Sequence, residues 1–155
     1  MLGGVPGVNP GTVVVIGGGV TGKNAARTAC GLGTKVFLLE NRLERLRYLS
    51  DVMPKNCFLY MSNPPTIRRL LKEADVVVGA VLIPGSKAPK LVTKGMLKKM
   101  KKGAVLVDIA IDQGGAALRL QGLQGIPTRF ILLTILSITV LTTCPELFPK
   151  PLPMH

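Results

Sequence analysis

The stretch Thr12-Val-Val-Val-Ile-Gly-Gly-Gly-Val-Thr-Gly22 decides the fold. Val13 to Ile16 are β-branched, as suits a strand buried on both faces of a parallel sheet. The run passes straight into Gly17-x-Gly19-x-x-Gly22, and an alanine-rich helix is expected from Lys23 to Ala29. In a dinucleotide-binding unit the first glycine of such a loop makes the tight turn. The second lets the backbone approach a pyrophosphate, and the third lets helix and strand pack closely. The pyrophosphate sits on the free N–H groups that open the helix. Gly17, Gly19, Val20 and Gly22 are the residues this reading selects.

A glycine-rich turn alone can equally bind nothing, so its surroundings matter. A second strand, Lys35 to Leu39, follows the helix and ends at Glu40. That sets an acid about twenty positions after the motif, where a ribose 2′-hydroxyl takes a carboxylate. The alternative for Glu40 is a solvated carboxylate at the mouth of a helix.

The 155 residues allow one domain with one core. A net charge of +12 and a pI near 10.1 raise the question of nucleic acid. Seven of the twenty basic residues, however, lie between Lys87 and Lys102, with few aromatics and no nucleic-acid motif beside them. A solvated helix face explains that cluster, and no nucleic-acid partner is expected. Cys30, Cys57 and Cys144 show neither CxxC spacing nor an even count, which fits a reduced, cytoplasmic setting. The only histidine is His155, so a histidine-based metal site or proton relay is not available and no metal is expected. The first seven residues lack a signal-peptide pattern.

Along the chain, residues 1–11 read as a glycine- and proline-rich lead-in, and Gly31 and Gly33 as C-caps of the first helix. Asn41 with Glu44 resembles a capping box, and Leu43, Leu46 and Leu49 give the next helix its apolar face. A third strand is expected at Cys57 to Tyr60, a turn at Asn63-Pro64-Pro65, and a helix carrying Ile67, Leu70, Leu71 and Ala74. Val76 to Val81 reads as a fourth strand. Thr93 can cap a basic helix that buries Met96, Leu97 and Met100, and Ala104 to Ile111 reads as a fifth strand. Alternating strands and helices imply an α/β, Rossmann-type doubly wound parallel sheet with right-handed crossovers. In such sheets ligands bind at the carboxyl ends of the strands. Glu40, Ser62, Val81, Leu82 and Asp112 all fall at such ends.

Several further segments resemble alanine dehydrogenase. They are Leu-Gly-Gly-Val-Pro-Gly-Val at 2–8, the glycine loop, Leu39-Glu40 with Arg45-Leu46-Arg47, and Gly79 to Gly85. Lys87-Ala-Pro-Lys-Leu-Val92 and Val107-Asp-Ile-Ala-Ile-Asp-Gln-Gly-Gly115 are the most specific of these. The resemblance implies residues 1–115 as the NAD-binding domain of an enzyme that oxidatively deaminates L-alanine to pyruvate and ammonia. It implies Glu40 in place of the usual ribose-binding aspartate, and cofactor contacts at Arg45 and Ser62. Val81, Leu82, Ile109, Ala110 and Ile111 correspond to loops beside the nicotinamide, and Asp112 to the catalytic aspartate. Arg42 departs from the pattern and bears on NAD against NADP. Each assignment has a plainer counterpart: Ser62 starting a turn, Arg45 pairing with Glu44 or Asp51, Asp112 capping a neighbouring loop. In the family an N-terminal domain supplies a basic anchor and a histidine; neither is expected here, and the fold is expected to be truncated. The family is homo-oligomeric. Alternatives are the nucleotide-binding part of a transhydrogenase α subunit and a non-catalytic NAD-binding remnant.

Residues 116–155 have another character. They hold a single acid, Glu146, and Phe130 to Thr143 is almost wholly apolar. About fourteen such residues are too few for a bilayer, which takes roughly twenty, so no membrane partner is expected. The run is also too long for one strand. Ile138 to His155, read one base earlier through compatible codons, becomes His-Tyr-Cys-Val-Asn-Asn-Met-Pro-Gly-Ala-Val-Pro-Lys-Thr-Ala-Thr-His. Arg119 to Ser137 treated alike also turns family-like. A frameshift near Gly114 to Ala116 accounts for both, and an irregular, poorly ordered, aggregation-prone tail is expected.

Overall fold

The computed structural model describes residues 2–81, 91–109 and 131–134. The β-branched run becomes β1 (Thr12–Ile16), an inner strand of the sheet. Helix α1 (Val20–Gly31) opens three residues before the expected Lys23, because Gly19 is already extended and serves as N-cap. It closes on a Schellman motif: the Gly33 N–H donates to the Cys30 carbonyl at 3.0 Å, and the Thr34 N–H to that of Ala29 at 3.3 Å. Of the two glycines expected to cap this helix, Gly33 takes the left-handed position and Gly31 is still helical.

The chain continues through β2 (Lys35–Glu40), α2 (Leu43–Val52), β3 (Cys57–Met61), α3 (Pro64–Leu71) and β4 (Val76–Gly79). It then forms α4 (Lys94–Leu97), β5 (Val105–Asp108) and β6 (Ile131–Thr134). The Asn41–Glu44 capping box does not form. Arg42 is the N-cap of α2 and no side chain caps it; the Glu40 carboxylate already takes the Asn41 and Arg42 N–H groups through Oε1. The expected Asn63-Pro64-Pro65 turn is the start of α3. The Asn63 side chain accepts the Thr66 N–H at 2.8 Å, and prolines in the first turn lack only N–H groups that have no helical acceptor anyway. Strand β4 ends at Gly79, two residues short of Val81, after which the Ala80 N–H makes one last bond to the Ile16 carbonyl. Strand β5 spans Val105–Asp108, inside the expected Ala104 to Ile111.

All neighbouring strands run parallel in the order β3-β2-β1-β4-β5-β6. The order reverses between β1 and β4, the place where open α/β sheets form a crevice at their carboxyl ends. Strand alternation divides the core in two. Val14, Ile16, Phe37, Leu39 and Val77 pack beneath α3 and α4, while Val13, Val15, Val36 and Leu38 pack beneath α1 and α2. Thr93 Oγ1 receives the Met96 N–H, and Met96, Leu97 and Met100 are buried.

Strand β6 lies within residues 116–155. Four residues of the apolar run thus form a strand beside β5, although the run as a whole exceeds one strand. The rest of that segment, and the disorder expected of it, lies outside the described residues. Among the described residues no helix is long and apolar enough to cross a membrane.

Candidate cofactor site

A cavity of about 460 Å³ opens at the carboxyl ends of β1 to β4, lined by Gly17, Gly19, Val20, Glu40, Ser62 and Val81 among others. Gly17 turns the chain out of β1 with φ 107°, a region L side chains avoid, and a Cβ there would sit 2.8 Å from the Ala80 carbonyl oxygen. At Gly22 a Cβ would collide with the Gly17 carbonyl oxygen, so this glycine sets how closely α1 packs on the loop. Gly19 differs from both: a Cβ there meets nothing within 4 Å. The space over Gly19 belongs to the cavity, which it lines.

Helix α1 opens onto that space. Gly19 offers no side chain to cap it, and no acid stands in its first turn. The partial positive charge of the helix end and its N–H donors are therefore available to an anion. This is the observation that fits the pyrophosphate of a dinucleotide.

Glu40 forms the acidic wall. It is 9% exposed, and its Oε2 accepts the Gly18 N–H at 2.9 Å while Oε1 accepts those of Asn41 and Arg42. A carboxylate has about four acceptor positions, so three taken by backbone leave one, on Oε2, for a hydroxyl donor. Ser62 stands at the end of β3, its N–H bonded to the Glu40 carbonyl at 2.9 Å. Val81 bridges cavity and core, packing against the cluster beneath α3 and α4.

The remaining expected residues are placed differently. Arg45 is not among the cavity's lining residues; its Nε donates to the Gly18 carbonyl at 2.9 Å. It pairs with neither Glu44 nor Asp51 among the described contacts. Ile109 is tied to Gly79 through its N–H at 2.9 Å and packs against the cluster beneath α1 and α2. Leu82, Ala110, Ile111 and Asp112 lie outside the described residues. Thr21, Asn41, Arg42, Ala80 and Leu91 also line the cavity. Thr21, Asn41 and Ala80 flank residues already selected, Arg42 was singled out for its bearing on NAD against NADP, and Leu91 lies inside the Ala-Pro-Lys-Leu-Val motif.

Cys30 and Cys57 sit at the other end of the sheet, the first late in α1 and the second at the start of β3. Burial pushes the Cys57 thiol up to about 12, with the neighbouring Cys30 adding to it. Burial also raises Cys30, against a lowering hydrogen bond to Cys57. Neither is a ready nucleophile.

The family model for the C-terminal domain of alanine dehydrogenase/PNT matches residues 1–122. The chain belongs to this family. An alanine dehydrogenase of Methanococcus maripaludis is 53% identical over 116 residues, which are 75% of this chain and 31% of that protein. A solved L-alanine dehydrogenase superposes with a TM-score of 0.72 at 46% identity, covering 76% of this chain and 32% of the other. A transhydrogenase from Sinorhizobium meliloti gives a TM-score of 0.62 at 31% identity over 71% of this chain and 31% of its own. The chain spans about a third of the length of the curated alanine dehydrogenases it matches.

Proposed function

We propose that the chain is the NAD-binding part of an NAD-dependent alanine dehydrogenase of cytoplasmic location. The reaction is L-alanine + NAD⁺ + H₂O → pyruvate + NH₄⁺ + NADH + H⁺. The observation that carries the cofactor half is the uncapped N-terminus of α1 beside a glycine with open space above it and a buried acid facing it. When bound, NAD supplies the hydride acceptor; the chain supplies its seat. Gly17 and Gly22 shape the loop, Gly19 and Val20 present backbone to the pyrophosphate, and Glu40 takes a ribose hydroxyl on the acceptor position left to it. Ser62 and Val81 border the adenosine and nicotinamide sides. Asp112, with Leu82, Ala110 and Ile111, takes its role from the family motif.

Alanine is proposed over the transhydrogenase reading on the Ala-Pro-Lys-Leu-Val and Ile-Asp-Gln-Gly-Gly segments. Hydride transfer requires alanine and nicotinamide to be held together in near-attack geometry, and deamination requires an acid–base group in reach. One aspartate does not supply both, and the chain's single histidine is its last residue. The chain assayed alone is therefore expected to give no alanine-dependent NAD reduction above a blank. Turnover that disappears in Asp112→Asn would overturn that division of labour.

A further inference from the structure

Two thiols that the cofactor reading leaves unused stand together at the far end of the sheet from the crevice. Cys30 lies in the last turn of α1 and is buried; Cys57 is the first residue of β3 and is half-buried. Both belong to the cluster beneath α1 and α2, and the two thiols are hydrogen-bonded to each other. The backbone holds them there. Asn56, just before Cys57, donates through Nδ2 to the carbonyls of Cys30 at 3.0 Å and Thr34 at 3.1 Å. Cys57 itself is fixed by its N–H to the Pro54 carbonyl at 3.0 Å and by its register opposite Val36 of β2. A disulfide requires two cysteine side chains aimed at each other from backbones that need not move. Thiols in mutual contact, on segments already clamped together, meet that requirement.

We propose that Cys30 and Cys57 close a reversible disulfide when the chain meets a low-molecular-weight disulfide, and that this bridge fastens the edge strand β3 to the end of α1. The proposal is independent of the cofactor reading. Cys57, the more exposed of the two, is the entry thiol: as a thiolate it attacks one sulfur of the reagent and releases one small thiolate. Cys30, reached through Cys57, then gives up its proton and attacks Cys57 Sγ, expelling the second small thiolate. Two cysteine thiols are oxidised, one small disulfide is reduced, and the two cysteine protons end on the two small thiols. Burial holds the Cys57 thiol up at about 12, so entry is slow at neutral pH and quickens as pH rises. The closed loop contains β2 and α2, and closing it restricts the unfolded chain.

The test incubates the folded full chain with oxidised glutathione, maps its disulfides by peptide mass spectrometry, and records circular dichroism melts before and after. A Cys30–Cys57 peptide pair should appear, and the chain should melt roughly 5–10 °C higher. Dithiothreitol should reverse both. Bridge formation should speed up about tenfold per pH unit from about pH 7 to about 8.5, whereas a flat profile would show an activated entry thiol and contradict the assignment. In Cys30→Ser one glutathione should stay on Cys57. A bridge from either cysteine to Cys144, a glutathione that stays on Cys57 of the parent, or no bridge in a chain whose thiols react freely in urea would overturn the proposal. So would a Cys30–Cys57 bridge that lowers the melting temperature, since the pair would then be forced together. If Cys30→Ser does not fold, the parent's peptide map decides alone.

Discussion

Three glycines in one loop carry different physical duties, and a single added methyl group separates them. At Gly22 the methyl has no room beside the Gly17 carbonyl, and overpacking of this kind costs about 1–3 kcal/mol. Gly22→Ala should therefore lower the melting temperature whether or not a nucleotide is present. At Gly19 the methyl meets empty space, and the backbone is extended, so Gly19→Ala should melt within about 0.5 kcal/mol of the parent. Thermal denaturation of the two variants checks the pair; equal losses would mean that Gly19 is a structural glycine like its neighbour. The spacing of the motif was legible in the sequence, but this division was not. It depends on what lies opposite each Cα, and the Ala80 carbonyl and Val81 side chain that crowd Gly17 come from the residues just after β4, far along the chain. Glu40 was legible from its position alone. That it takes three backbone N–H groups was hidden, because this depends on how the chain turns from β2 into α2 and on where the glycine loop lies.

The first five strands came out close to their expected places; for β1 and β4, read from runs of valine and isoleucine, burial on both faces leaves little else for such residues to do. Ends were less legible. Helix α1 started early because a glycine can cap without a side chain, and α3 started early because Asn63 caps where a turn was expected. One element-level tie was not anticipated. Asp75, just before β4, accepts the Thr12 N–H of β1 at 2.8 Å, while its own carbonyl accepts the Val105 N–H of β5. Its other carboxylate oxygen meets Lys101 Nζ at 2.8 Å. Partial burial pushes this carboxyl up, but the bonds from Lys101 and Thr12 outweigh that and hold it below the usual range. A depressed folded-state value contributes stability that is present above the unfolded-state value and lost as pH falls through the folded one. Asp75→Asn should thus be less stable than the parent at neutral pH, and the gap should close on acidification. Denaturant melts at several pH values test this; a gap that is constant or widens in acid would contradict it. The pair is partly exposed, so added salt should shrink its share.

At the scale of the molecule, the likeness to alanine dehydrogenases covers three quarters of the chain and a third of theirs. Residues 1–115 carry the motifs, and the apolar segment beyond them carries β6, which covers the open edge of β5. We propose that the segment beyond residue 122, where the match to the family model ends, is unrelated to the family. Removing residues 135–155 should raise soluble yield, whereas removal from residue 116 also uncovers β5 and should not. Equal yields from the two truncations would show that β6 protects nothing. The proposed function requires that the crevice between β1 and β4 seat a dinucleotide. Titrating the full chain with NADH and with NADPH, beside Gly19→Val, tests it most directly. NADH fluorescence should rise saturably, less so for NADPH because Glu40 repels a 2′-phosphate, and not at all in a Gly19→Val protein that melts like the parent. A folded parent that binds neither nucleotide, or a Gly19→Val variant that binds NADH as well as the parent does, would contradict it.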